Sequence, residues 1–539
     1  MTDAWWRSGV LYQIYVRSFL DTNGDGVGDL DGVTEKLDYV ASLGVEAIWL
    51  TPFYRSPMVD FGYDVEDHTD VDPLFGDLAA FDRLLAAAHE RNLRVVVDYV
   101  PNHTSDRHPW FLDSRSSRDA GKRDWFFWRD PQPDGSPPNN WISLFGGPAW
   151  EFDERTGQSY LHTFLKEQPD LNWRQPAVQE AMFDVARFWL DRGVDGFRVD
   201  VAGAVMKDPG LRDNPAGDRP WRGMFGADWE AQQHIHDFAH PDVFRVWRDF
   251  RELVDEYDEK DGRSRVVIGE VPSHNLAEWA RYYGERLDAM HLPFGFHLLR
   301  HDWGAATVGD VVDRVEAALP PGAVSNWVLG NHDQPRIASW AGPARARVAM
   351  MLLLTLRGAP TLYYGDELGM LDVPVPPDRV KDPWEGNVPG QGRDQARTPM
   401  PWTPEPHGGF SRPDVEPWLP LGMPGGGIDV ETQERDPRSA LALTRALVGL
   451  RRMSAAMRDG SYARHDGAPP GSFAFCRETA GEQLFVALNF GPDRISIELP
   501  ASGRVTLSTT MDRDGRVSGS IALAPFEGAI VALERQSDS

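Results

Sequence analysis

Up to about residue 455 the chain alternates short apolar runs with longer stretches of helical periodicity. The runs read YQIYVRSF (12–19), AIWLTP (47–52), RVVVDYV (94–100), GFRVDVA (196–202), VVIGEV (266–271), HLPFGFH (291–297), NWVLGN (326–331) and TLYYGD (361–366). Strands this continuously apolar are buried on both faces, as in a parallel sheet covered by helices. Eight such strands with intervening helices predict a closed (β/α)₈ barrel. The helical stretches carry matching signals. After Pro176, apolar residues recur at Val178, Met182, Val185 and Trp189, with Gly193 as the stop; proline suits a first helical position and glycine a position just past the end. Phe81, Leu84, Leu85 and Ala88 form a similar stripe before Asn92.

Two segments break the rhythm. Residues 104–172 lack it and are rich in Trp, Pro, Asp and Asn (RDWFFWRDPQPDGSPPNNWISLFGG). A structureless loop that long is improbable inside a compact domain, so a small inserted subdomain is expected there. From residue 456 the pattern becomes short strands separated by turns (SFAFCRE, QLFVALNF, ISIELP, VTLS), which predicts a terminal all-β sandwich. The expected organisation is therefore barrel (1–103), insertion (104–172), barrel (173–455) and β domain (456–539).

Composition narrows the class. The formal net charge is -27, which excludes a phosphate-backbone partner and an anionic membrane surface, since both require a basic footprint. The longest apolar run, 348–356, falls far short of the roughly 20 residues of a membrane helix. The start, MTDAWWRSGVLYQIY, has no basic segment followed by an apolar one, so no secretory leader is expected. A lone cysteine, Cys476, rules out an internal disulfide and fits a reducing, cytoplasmic compartment.

In a barrel of this kind the chemistry lies where the strands end. Past the third strand comes His103; past the fourth, Arg198 and Asp200; past the fifth, Glu270; past the seventh, His332 and Asp333. The loop after the second strand carries Asp60, Tyr63 and Asp64, and the eighth leads to Arg393 and Arg397. No serine or cysteine with a matching base stands among them. Paired carboxylates without an activated hydroxyl fit glycosidic bond cleavage, one attacking the sugar and the other protonating the leaving oxygen. Arg198, two residues before Asp200, points to the same face and is expected to keep Asp200 ionised. Burial and the neighbouring Asp333 are expected to raise the pKa of Glu270. Any one of these residues alone reads best as structural; five strands ending this way do not. A divalent metal held by His103, His332 and carboxylates is the competing reading, and it lacks the usual HxH or HxxH chelate.

These segments resemble the α-amylase superfamily, glycoside hydrolase family 13. YQIYVRSFLDTNGDGVGDL, VVDYVPNH, GFRVD, IGE and GNHD look like its ordered signature segments, and the likeness covers essentially the whole chain. QPDLNW (168–173) and GRDQARTPMPW (392–402) are similar to its α-glucosidase and oligo-1,6-glucosidase branch. The resemblance implies a barrel with an inserted domain B and a β domain C. It also implies a nucleophile at Asp200, an acid/base at Glu270 and a third carboxylate at Asp333. Arg198, His103 and His332 would surround the bound glucose. Asp60, Tyr63 and Arg393 would close the pocket at the non-reducing end, with Arg397 beside them and Phe145 and Gln168 as further lining. Such a closed pocket implies exo action on small α-glucosides, retention of configuration and no organic cofactor.

The loop DTNGDGVGD (21–29) sets Asp21, Asn23, Asp25, the Val27 carbonyl and Asp29 at alternating positions around Gly26. This is the start of an EF-hand-like calcium loop, except that Gly32 stands where the bidentate glutamate would be. The family resemblance implies structural Ca²⁺ or Mg²⁺ here, and an acidic turn without metal is the alternative. Two other functions stay open. The same covalent intermediate can pass glucose to a sugar acceptor, making a transglucosylase or isomerase. Heavy chains of amino-acid transporters use this fold as a scaffold, with a membrane anchor and without the carboxylates. Linkage stays open between α-1,4, which Val201-Ala202 allows, and α-1,6 or sucrose. The segment 206–228 is expected to overhang the pocket. A monomer or homodimer is expected.

Overall fold

The computed structural model describes residues 4–217, 224–273, 275–299, 302–422 and 426–534. Eight parallel strands close into a barrel: β1 (Leu11–Ile14), β2 (Ala47–Leu50), β3 (Arg94–Tyr99), β4 (Gly196–Val199), β5 (Val266–Glu270), β6 (Leu292–Phe294), β7 (Asn326–Val328) and β8 (Ala359–Tyr363). Each strand pairs with its neighbours in sequence order, and β8 closes against β1. All eight runs legible in the sequence are barrel strands. Several runs extended beyond the strand itself. In the first, Val16–Ser18 forms a 3₁₀ turn instead, because the chain must leave the barrel rim. One glycine is dictated by packing: at Gly196 φ is +150°, and a Cβ there would sit 2.2 Å from the Val266 carbonyl oxygen.

The covering helices follow their capping signals. Helix α1 (Leu78–Glu90) starts at Asp77, whose carboxylate accepts the Ala80 N–H at 2.7 Å. It buries Phe81, Leu84, Leu85 and Ala88, the stripe read from the sequence. Helix α2 (Pro176–Arg192) begins at its proline and ends at Gly193, which has the left-handed φ of 100°. Helix α3 (Val243–Asp261) buries Val246, Trp247, Phe250 and Val254. No helix among the described residues is long and apolar enough to cross a membrane.

Between β3 and α2 the insertion forms a three-stranded sheet (Trp128–Arg129, Trp150–Asp153, Gln158–Leu161) and a helix, Pro109–Ser116. Its core is aromatic: Phe111 lies 5.0 Å from Phe126, 5.8 Å from Trp128 and 5.1 Å from Tyr160, between ring centroids. The insertion is stitched to the barrel by the Leu171 N–H, which donates to the Asn102 carbonyl at 2.9 Å. At the C-terminal end, strands from Ser461 onward make a six-stranded antiparallel sheet and a two-stranded one. The two share a core that includes Phe485, Ile497, Ile521 and Val531, the packing of a sandwich. The Arg477 guanidinium donates across to the Thr355 carbonyl at 2.7 Å, fixing this domain to the barrel.

Candidate active site

The ends of β2 through β5 and of β7 converge on one cavity of about 700 Å³, part of it open to solvent. Asp60, Tyr63, His103, Phe145, Asp200, Glu270, Asp333 and Arg393 all line it. Four other residues read from the sequence as site residues sit behind its wall and hold those in front. These are Arg198, Gln168, His332 and Arg397.

Arg198 is fully buried and is the centre of the carboxylate cluster. One guanidinium nitrogen donates to Asp200 at 2.7 Å and to Asp98 at 2.9 Å, and the other donates to Glu270. Its carbon lies 5.0 Å from the centre of the Trp49 ring. The alternation of side chains along β4 sends residues 198 and 200 to the same side, as expected. The electrostatic outcome differs from the sequence expectation for Asp200. Burial pushes its pKa well up, and Glu270 and Asp98 push it further, so Arg198 does not offset the sum. A single guanidinium charge is divided among three carboxylates. Burial also raises Glu270, with Asp333 adding to the rise against Arg198. The two carboxyls share the Arg198 guanidinium, one on each of its terminal nitrogens. Both carboxyls are therefore pushed toward holding a proton at pH values where isolated carboxylates have lost theirs.

Asp333 behaves oppositely. Burial raises it, but His332, Arg397 and Arg393 outweigh burial and hold it well below the usual carboxylate range. Arg397 donates to it at 2.8 Å and Arg393 at 3.3 Å. His332 is buried, and burial pushes its own pKa down while Asp333 opposes the fall; its Nε2 lies 2.7 Å from the Tyr63 hydroxyl and its Nδ1 2.7 Å from the Gln13 amide nitrogen.

The opposite side of the cavity is closed by an ionic bolt. Arg393 Nη2 donates to Asp60 at 2.7 Å and to Asp382 at 2.7 Å, while its Nε donates to Asp382 at 2.8 Å. Gln168 ties this bolt to the insertion, donating to Asp60 at 3.1 Å. Over the guanidinium, Phe145 and Trp384 stack with centroids 5.1 Å apart. The rim is apolar, with Phe164, Phe225, Trp229, Phe238 and Phe296. Behind Asp200, Val201 adopts a φ of +35°, a strained conformation for a β-branched residue. That twist lets the Val201 N–H point to Glu270 at 3.3 Å.

Asp98, Asp382, Trp384 and the aromatic rim were not singled out from the sequence. Asp98 had a readable signal, an acid in the otherwise apolar run VVVDYV. Asp382 had only the local pattern D-P-W, and it does cap a short helix, accepting the Trp384 N–H at 3.1 Å. Part of the segment 206–228, residues 218–223, lies outside the described residues. The rest contributes Phe225 to the rim.

The loop 21–29 is curled on itself. Asp21 accepts N–H groups of Gly24 at 2.6 Å and Gly26 at 2.9 Å, Asn23 accepts that of Asp25 at 2.9 Å, and Asp25 that of Val27 at 2.8 Å. Asp29 caps the next helix through Gly32 at 2.7 Å. Among the described residues, no three His, Cys, Asp or Glu side chains gather in the arrangement of a metal site.

The model of the alpha amylase catalytic domain matches residues 13–460 of this chain. A "Probable alpha-glucosidase" of Rhizobium meliloti is 42% identical over 92% of this chain and 91% of its own length. An oligo-1,6-glucosidase of Heyndrickxia coagulans is 34% identical over 98% of this chain and 100% of its own. Among solved structures, an alpha-glucosyl transfer enzyme superposes with a TM-score of 0.91 at 42% identity, covering 99% of this chain and 100% of that one.

Proposed function

This chain belongs to the alpha amylase catalytic-domain family and is a glycoside hydrolase of the α-glucosidase class; from that premise we propose that it removes terminal α-linked glucose from small oligosaccharides with retention at the anomeric carbon. The observation that carries this is the placement of Asp200 and Glu270 on one guanidinium, in a cavity whose far side is bolted by Arg393 and Asp60. A terminal sugar can enter such a pocket and a longer glucan cannot thread through it.

In this reading Glu270, raised by burial, carries a proton when the sugar enters. Asp200, now ionised against Arg198, attacks the anomeric carbon. The bond to the glycosidic oxygen breaks as Glu270 passes its proton to that oxygen, and a covalent β-glucosyl ester forms. Glu270, now a carboxylate, takes a proton from water; the water oxygen displaces Asp200 and α-glucose leaves. Asp333 stays ionised throughout, because His332, Arg397 and Arg393 hold it so, and its fixed charge favours the positive character that develops on the sugar ring. Maltose-type α-1,4 substrates are the preferred class, with isomaltose and sucrose as secondary ones. The reducing-compartment reading of Cys476 supports a cytoplasmic location, and a monomer or homodimer is the expected state.

The loop at Asp21, Asn23, Asp25, Val27 and Asp29 would hold one Ca²⁺ or Mg²⁺ as a structural ion. Its oxygen donors suit a hard cation. None of these residues lines the cavity, so the ion would supply stability and no chemical step.

Glucosyl transfer to a sugar acceptor is the second reading. The likeness to an alpha-glucosyl transfer enzyme favours it, as does the aromatic rim on which an acceptor sugar can stack. One experiment tests both: purified protein on maltose, isomaltose and sucrose, with released sugars followed by NMR. α-Glucose as the first anomer supports retaining hydrolysis. β-Glucose first overturns the double displacement, and disaccharide products with little free glucose select transfer.

A further inference from the structure

Lys207 lies seven residues past Asp200, is wholly buried, and takes no part in the chemistry above. Its ammonium is ion-paired with Asp170 at 2.9 Å and donates to Thr163 at 2.9 Å, the Ala204 carbonyl at 2.7 Å and the Asn102 side-chain oxygen at 3.3 Å. These partners come from three separate parts of the molecule: the segment after β4, the returning arm of the insertion, and the end of β3. An ammonium can only donate. The Asn102 oxygen must therefore face Lys207, and its NH₂ must face the other way. That NH₂ reaches Asp170 at 3.1 Å and the Nδ1 of His103 at 3.2 Å. Since an amide NH₂ can only donate, His103 Nδ1 must be the bare acceptor, and the ring proton sits on Nε2. Nε2, on the edge of a ring that lines the cavity, lies 3.2 Å from both the Tyr63 carbonyl and the Gln168 amide nitrogen; with Nδ1 bare its proton goes to the carbonyl, and the Gln168 NH₂ donates to Asp60 at 3.1 Å.

We propose that Lys207 is a positioning residue that, through Asn102, fixes which nitrogen His103 protonates and so which hydrogen-bonding group it offers to the sugar. This rests on the α-glucosidase reading of the cavity and deepens it. The charges around His103 agree with the geometry. Burial lowers its pKa to about 4, Asp170 opposes the fall, and Lys207 and His68 add to it. Lys207 thus balances Asp170 and leaves a neutral imidazole on the pocket wall, where an imidazolium would disturb the charge balance of the nearby Asp60 and Arg393.

The test is a double-mutant cycle on maltose hydrolysis with Lys207→Met, His103→Ala and the pair. Expected is a fall of about tenfold in kcat/KM for Lys207→Met, mostly through KM. In the His103→Ala background the same change should have almost no further effect. Lys207→Met should also move the acid limb of kcat/KM to higher pH, because Asp170 is left unbalanced beside His103. Independent additive losses, or an unshifted acid limb, would overturn the inference. Should Lys207→Met fail to fold, Asn102→Ala breaks the same relay while leaving the Lys207–Asp170 pair intact. It must then show the same dependence on His103, and an unchanged kcat/KM for it also overturns the proposal. A wild-type protein inactive on every α-glucoside would instead defeat the underlying reading, and this inference with it.

Discussion

Arg393 grips Asp382 twice, through Nε at 2.8 Å and Nη2 at 2.7 Å, and the Asp382 carboxylate also accepts the Arg393 backbone N–H at 2.6 Å. Asp382 therefore fixes both the backbone and the side chain that closes the pocket. Replacing Asp382 by Asn should free the guanidinium to swing from Asp60. The expected result is a rise of about tenfold in KM for maltose with kcat within about threefold, since the loss falls on binding and not on bond breaking. Steady-state kinetics on the purified variant check this; an unchanged KM would remove Asp382 from the pocket closure.

The two carboxylates should separate chemically. Asp200→Asn should lower kcat by at least about a thousandfold on every substrate, because no attacking group remains. Glu270→Gln should lose about 10²–10⁴ on maltose but far less in glucosylation by an aryl α-glucoside whose leaving group needs no proton. Added azide should then rescue turnover of Glu270→Gln and yield an α-glucosyl azide, because it displaces Asp200 from the β-linked ester with inversion. A β-glucosyl azide from the Glu270 variant, with an α-glucosyl azide from the Asp200 variant, would exchange the two roles.

Protonation links these residues to stability. Asp200 has a raised pKa in the fold, chiefly through burial. The folded state therefore holds a proton that the unfolded chain has released, and stability from this group is lost as pH climbs from about 4 through the raised value. Asp200→Asn should accordingly melt about 1–3 °C above wild type at pH 8, the gap closing toward pH 4. Asp333 is depressed, so its contribution is present above about pH 4 and lost as pH falls below that. Asp333→Asn should melt below wild type at neutral pH, with the difference shrinking in acid. Melting curves from pH 3.5 to 8.5 decide both signs.

For the loop at 21–29, elemental analysis of protein purified without chelator should find about one Ca²⁺ or Mg²⁺ per chain. Chelation should lower the melting temperature by several degrees while KM for maltose holds. Metal-free protein with an unaltered melting curve would leave the loop as an acidic turn.

The sequence announced what depends on periodicity and strand-end position. Eight apolar runs marked the barrel, and Asp200, Glu270 and Asp333 could be read as facing one rim because strands of a barrel end on one face. The residues that grip those three were harder to see. Asp382 sits on an irregular loop, and its importance comes from meeting Arg393, eleven residues on, in three dimensions. Lys207 reads as an ordinary charged residue in a loop, and no pattern signals that it is wholly buried. The pKa of Asp200 was misjudged for a related reason. Pairing with Arg198 was visible in the spacing, but the competition of Asp98 and Glu270 for the same guanidinium needs the folded arrangement.

Val201, with its φ of +35°, has a further consequence for anyone altering this protein. The residue borders the cavity, so it is an obvious place to change substrate preference. Yet only glycine, or an asparagine or aspartate, adopts that backbone readily, at a relief of about 1–3 kcal/mol. A library randomised at this codon would therefore report two quantities at once, fit to the leaving group and ease of the turn. Winners in a heat-based screen would drift toward glycine whatever sugar was offered, and sorting by selectivity would favour strained side chains that keep the carboxylates aimed.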